Sequence, residues 1–144
     1  MISIDDVDLK DAKIAYAAMD FFSYCNLKAP EFYREDRVFL NKVCNDFQSF
    51  YESDEDVLVL NMPPRHGKSR TAGCFVEWVL GNNQNEKIML GSYNEALSTT
   101  FSKNVRDTIT EQKGDEDKIV YSEIFPNVAI KYGDSAMNKW SLVN

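Results

Sequence analysis

Residues 56–80, DVLVLNMPPRHGKSRTAGCFVEWVL, constrain this chain more than any other stretch. Val57-Leu58-Val59-Leu60 is an unbroken apolar run with two β-branched residues, the pattern of a short strand buried on both faces. It cannot continue far past Asn61, because Pro63 and Pro64 donate no backbone hydrogen bond. From Lys68 the period changes. Ala72, Phe75, Val76 and Val79 fall at helical spacing, and Gly81-Asn82 is a C-terminal stop signal. Strand, loop with Gly67-Lys68-Ser69, then helix is the layout of a phosphate-cradling P-loop.

That chemistry needs these residue types. Consecutive backbone N–H groups at a helix N-terminus cradle a polyphosphate, and the helix dipole favours its charge. Gly67 lets the backbone come close, Lys68 reaches the β- and γ-phosphates, and the Ser69 hydroxyl holds Mg²⁺. Met62 stands where the first glycine of G-x-x-x-x-G-K-[ST] belongs. The prolines remove only the N–H groups of residues 63 and 64, so the donors expected at the phosphates, residues 65 to 69, all remain.

A chain of 144 residues holds one modest core or part of a larger domain. Its 44% hydrophobic and 27% charged residues are those of an ordinary globular domain. The net charge of −7 gives no bulk attraction to nucleic acid or anionic membrane, so any DNA contact needs a local basic patch. Cys25, Cys44 and Cys74 have no C-x-x-C spacing; the odd number, without a signal-peptide pattern, implies free thiols in a reducing cytoplasm. No apolar run approaches membrane-spanning length.

Upstream, residues 5–26 read as one helix, capped by Asp5 or Asp6, with Leu9, Ala12, Tyr16, Met19 and Ser23 on one face. A break at 26–30 precedes a second helix over about 31–51, with Phe39, Val43, Phe47 and Phe50 on one side. These aromatics read first as core; otherwise the segment helps form an adenine pocket through Tyr33, Arg34 and Arg37. Downstream, 87–93 (KIMLGSY) reads as a second buried strand, and Ser92 with Glu95 as a capping box. Leu97, Phe101, Val105 and Ile109 then trace a helix. Lys103, Arg106 and Lys113 lie off that face, on a solvated side or against a nucleic-acid backbone. Residues 121–125 read as a short helix, and 128–132 and 139–143 as short strands separated by Gly133-Asp134-Ser135. Strands alternating with helices predict an α/β fold of the P-loop NTPase type, with a mainly parallel sheet and flanking helices. The expected division is an N-terminal helical segment over 1–55 and the P-loop core over 56–144.

With these stretches in hand, the chain resembles the N-terminal part of the ATPase domain of tailed-phage terminase large subunits. MPPRHGKS at 62–69 is similar to that family's deviant Walker A. GSYNEALSTTFSKNVRDTI at 91–109 resembles its strand-to-helix segment after the second strand. YSEIFPNVAI at 121–130, followed by Trp140, resembles the connector before the Walker B strand, and 21–40 is more loosely similar to the leading segment. The resemblance implies a bacteriophage DNA-packaging ATPase, a hydrolase using ATP and Mg²⁺ in the cytoplasm of a bacterial host. The implied partners are double-stranded viral DNA, the portal protein, the small terminase subunit and further copies in a ring. It implies catalytic roles for Lys68 and Arg65, with Arg70 the second candidate for the Walker A arginine. It implies nucleotide contacts from Arg65, His66, Gly67, Lys68, Ser69 and Arg70, and Mg²⁺ on Ser69.

The sequence stops before any hydrophobic strand closing in an acidic pair, where the family carries its Walker B aspartate and catalytic glutamate. Asp134 follows no buried strand, and Glu77 reads as solvent-facing. His66 has no nearby carboxylate and reads as a loop residue. The expectation is that residues 1–144 alone bind nucleotide weakly or undetectably and do not turn it over. Two alternatives stand beside this reading: a truncated, non-catalytic nucleotide-binding or interaction protein derived from a terminase, and another P-loop ATPase such as a helicase-like enzyme.

Overall fold

The computed structural model describes residues 4–143, with side chains from Leu9 onward. The order is α1 (Ile4–Met19), α2 (Phe21–Lys28), α3 (Val38–Glu52), α4 (Lys68–Asn82), α5 (Glu95–Ile109), α6 (Tyr121–Ile124), β1 (Ile130–Ser135) and β2 (Trp140–Leu142). The chain divides into two compact units, Met1–Phe75 and Val76–Asn144.

The expected α/β architecture with a mainly parallel sheet is not what forms. The described residues are mostly helical, and their only sheet is the two-stranded antiparallel pair β1–β2. Both runs read as buried strands, 57–60 and 87–93, lie outside any strand. Val57 and Val59 are 74% and 75% exposed and Met89 is 96% exposed. A strand exists only as part of a ladder, and neither run has a ladder partner among the described residues. An apolar, β-branched run without a neighbour keeps its sequence character but not its burial.

In the first unit the single helix expected over 5–26 is broken at Asp20. Its carboxylate accepts from the Ser23 N–H at 2.8 Å and caps α2. The expected cap at Asp5 or Asp6 falls outside the described side chains. The break also changes the buried face. Leu9, Tyr16 and Met19 are exposed, whereas Ala17, Phe21, Phe22, Tyr24 and Cys25 are buried. The Phe21 and Phe47 rings meet edge-on at 6.1 Å, and both meet Phe75 of α4, at 5.4 and 4.8 Å. Full burial, as for Phe21, stabilises by roughly 1.5–3 kcal/mol, and the half-buried Phe47 and Phe75 contribute less. Helix α3 starts only at Val38; residues 30–36 are turns and bends, and Phe39 is exposed.

In the second unit, Trp78, Val79 and Leu80 are buried, as are Val105, Ile109, Tyr121, Ile124, Phe125 and Leu142. Tyr121 Oη donates to the Glu77 carbonyl at 2.8 Å, and Glu77, expected to face solvent, is only 7% exposed. The cap of α5 is Asn94, whose Oδ1 accepts from Leu97 N–H at 3.1 Å; the Ser92 hydroxyl instead donates to the Asn94 carbonyl. Gly133 falls inside β1 at φ 79° rather than between strands, so the connection runs over 136–139. The hairpin pairs Ile130 with Leu142 and Ser135 with Trp140, with an irregular register between. Trp140 Nε1 donates to Ser102 Oγ at 3.0 Å and ties the hairpin to α5. A cavity of about 850 Å³, lined by Leu80, Ile88, Leu90, Phe101 and Trp140, opens in this unit.

Candidate functional site

The loop over 62–67 turns sharply into α4. Arg65 has φ 63° and Gly67 φ 89°, two left-handed residues within three positions. For glycine this conformation is free; for arginine it is strained, a feature that clusters at functional sites. The first hydrogen bond of the helix runs from Thr71 N–H to the Gly67 carbonyl at 2.8 Å. The N–H groups of residues 65 to 70 therefore donate to no acceptor among the described residues. They sit at a helix N-terminus with no acidic residue in the first turn, so the positive end of the dipole is not neutralised from within.

Arg65, His66, Lys68, Ser69 and Arg70 are all exposed around this turn. The Lys68 ammonium, the Arg65 guanidinium and the Ser69 hydroxyl have no partner among the described residues. Arg70 is engaged: it approaches Glu31 at 3.7 Å and stacks over the Phe32 ring at 4.7 Å. Of the two arginines, Arg65 is thus the one left free for an anion. His66 Nδ1 lies 2.9 Å from the Pro64 carbonyl, which can only accept, so Nδ1 carries a proton; the ring meets Phe39 edge-on. No group of three His, Cys, Asp or Glu among the described residues is disposed to hold a metal. A Mg²⁺ on Ser69 would take its remaining ligands from phosphate and water, as that ion commonly does.

Behind the loop lies the turn before α3. Tyr33 is fully buried, and its hydroxyl meets Thr71 Oγ1 at 2.9 Å. Burial drives the Tyr33 phenol above its ordinary range, with Cys74 adding to the effect. Tyr33 is thereby a core residue of the helix junction rather than a wall of an open adenine pocket. Arg34 pairs with Asp36, whose carboxyl this contact lowers. Arg37 donates to the Phe32 carbonyl at 3.1 Å and covers the Phe32 ring at 5.0 Å. Phe32, which the sequence reading did not single out, is the residue in contact with the loop: its ring fills the space beside Gly67. The available signal was its place between Pro30 and the two arginines Arg34 and Arg37.

The three basic residues singled out on and after α5 are each engaged by an acidic side chain. Lys103 pairs with Asp107 at 2.6 Å and Lys113 with Glu123 at 2.7 Å. Arg106 contacts Asp107 at 2.8 Å and donates to the Ser135 carbonyl at 2.6 Å. Hydrogen bonds from Lys103 and then Arg106 hold the Asp107 carboxyl below its usual range.

No helix among the described residues is long and apolar enough to cross a membrane. The chain matches no family model, no curated protein and no solved structure.

Proposed function

We propose that residues 65–70 bind the phosphates of Mg²⁺-ATP, and that the chain is the ATP-binding part of a DNA-packaging motor of the terminase large-subunit type. The observation that carries the reading is the row of unpaired N–H groups at the start of α4, flanked by a free Lys68 and a left-handed Arg65. In this reading Lys68 neutralises the β- and γ-phosphates, Arg65 contacts a phosphate oxygen, and Ser69 ligates Mg²⁺. His66, Gly67 and Arg70 shape the turn. Viral DNA, the portal, the small terminase subunit, a homo-oligomeric ring and a bacterial cytoplasm belong to the proposal through the resemblance of 62–69, 91–109 and 121–130 alone.

A second reading is a non-catalytic nucleotide-binding or interaction protein derived from such a motor. The exposure of the apolar runs at 57–59 and 88–90 favours it, because unpaired apolar segments suit association more than independent turnover.

Amide NMR of the full chain tests phosphate binding, since it registers contacts as weak as millimolar. Titration with Mg²⁺-ATP to about 10 mM is expected to shift the amides of residues 65–70 saturably, and Lys68→Ala to abolish the shifts while the remaining spectrum is preserved. Unmoved loop amides, or equal binding by Lys68→Ala, would overturn the assignment. Phosphate release above background, lost in Lys68→Ala, would rule out the non-catalytic reading and overturn the expectation that these residues lack the catalytic acid.

A further inference from the structure

Three helices of the first unit bring together cysteines that have no significant spacing in the sequence: Cys25 on α2, Cys44 on α3 and Cys74 on α4. Cys44 Sγ lies 4.0 Å from Cys25 Sγ. Cys74 lies near enough to Cys25 to add to the upward push on its thiol. Cys25 and Cys44 are fully buried, whereas Cys74 is partly exposed. Burial, and then the hydrogen bonds of the two neighbouring thiols, push the Cys25 thiol up, so Cys25 is a poor first nucleophile. The cluster is not disposed as a metal centre. It is a path of sulfur atoms leading from a partly exposed thiol into the core.

We propose that the three cysteines form a thiol–disulfide site, entered at Cys74 and resting, when oxidised, as a Cys25–Cys44 disulfide. The oxidant is a small-molecule disulfide. Cys74 loses its proton and attacks one sulfur of that molecule; the S–S bond breaks, a mixed disulfide forms, and the departing thiolate takes up a proton. Cys25 then attacks Cys74 Sγ, giving up its own proton and expelling the second small thiol. Cys44 attacks Cys25 Sγ in turn, and Cys74 leaves as a thiol. In sum Cys25 and Cys44 are oxidised, and one small disulfide is reduced to two thiols. The Cys25 and Cys44 sulfurs must close from 4.0 Å to about 2.05 Å for the bridge to form. The bridge would join α2 to α3 behind Tyr33, whose hydroxyl holds the first turn of α4 through Thr71. The proposal does not depend on the nucleotide reading.

The reduced full chain, incubated with glutathione disulfide and mapped by mass spectrometry without reductant, tests it. The expected product is a monomer lighter by two hydrogen atoms, with a linked Cys25–Cys44 peptide and one free thiol, reversed by dithiothreitol. Cys74→Ser is expected to slow its formation at least about tenfold and leave the linked pair the same. Three thiols that stay free would overturn the proposal. So would a glutathione adduct that persists on Cys74, a final Cys25–Cys74 bridge, or bridges only between chains. Because Cys25→Ser can disturb the core, the map of the unaltered chain decides the resting bridge, and the Cys74→Ser rate decides the point of entry.

Discussion

The ring of Phe32 occupies the space that a side chain on Gly67 would need. A Cβ placed on Gly67 would lie 2.7 Å from both Cε1 and Cζ of that ring. The glycine therefore answers two demands at once, a φ of 89° and a close neighbour. Gly67→Ala is expected to destabilise the chain by about 1–3 kcal/mol, read as a lower urea midpoint. Adding Phe32→Leu should recover the packing part and leave the backbone strain. An alanine variant as stable as the parent would mean that Phe32 moves aside without cost.

Arg65 invites the opposite substitution. At φ 63° an arginine bears a left-handed penalty of about 1–2 kcal/mol that glycine does not, offset in part by the greater chain entropy of glycine. Arg65→Gly should stay within about 1 kcal/mol of the parent or exceed it, whereas β-branched Arg65→Val should fall below by about 1–2 kcal/mol. Both variants should bind Mg²⁺-ATP more weakly, because both lack the guanidinium. Unchanged affinity in both would show that the side chain does not reach phosphate.

Gly81 gives a test in which the sign decides. It lies in the last turn of α4, where exchanging glycine for alanine ordinarily stabilises a helix by about 0.5–1 kcal/mol. A Cβ here would lie only 2.5 Å from the Phe125 ring atoms. Gly81→Ala is therefore expected to lower the thermal midpoint, and Phe125→Leu in the same chain to restore part of the loss. A rise in Tm on Gly81→Ala alone would contradict the packing of Phe125 against this turn.

Three groups raised by burial predict loss of stability at alkaline pH. Cys25, Tyr33 and Tyr121 all have folded values above their ordinary ones, chiefly through desolvation. As pH climbs past about 9 for the thiol and about 10 for the phenols, the unfolded chain releases protons that the folded chain keeps. The unfolded state then binds fewer protons, so the unfolding free energy falls with pH. Their contribution is fully present below those values and is lost above them. Urea midpoints measured from pH 7 to about 11 should decline from the thiol range upward. Tyr121→Phe should make the decline shallower. A flat profile would show these groups to be open to solvent.

Local information accounts for much of what the chain displays. The helical spacing from Ala72 to Val79, the Leu97–Ile109 series and the short helix from Tyr121 are present where the pattern places them, because helix hydrogen bonds close within a few residues. The loop between Asn61 and Lys68 is equally legible, since Pro63, Pro64 and Gly67 act on their own backbone. Where a side chain or strand needs a distant partner, the sequence was silent or misleading. The runs 57–60 and 87–93 have strand composition, but a strand requires a neighbour that periodicity cannot supply. The apparent helix over 5–26 divides at Asp20, where Gln48 of α3 accepts from the Phe21 N–H and donates to the Met19 carbonyl beside the local Asp20 cap. The burial of Glu77, the approach of Cys25 to Cys44, and Phe32 against Gly67 were decided by tertiary packing, which joins residues whose separation along the chain carries no signal.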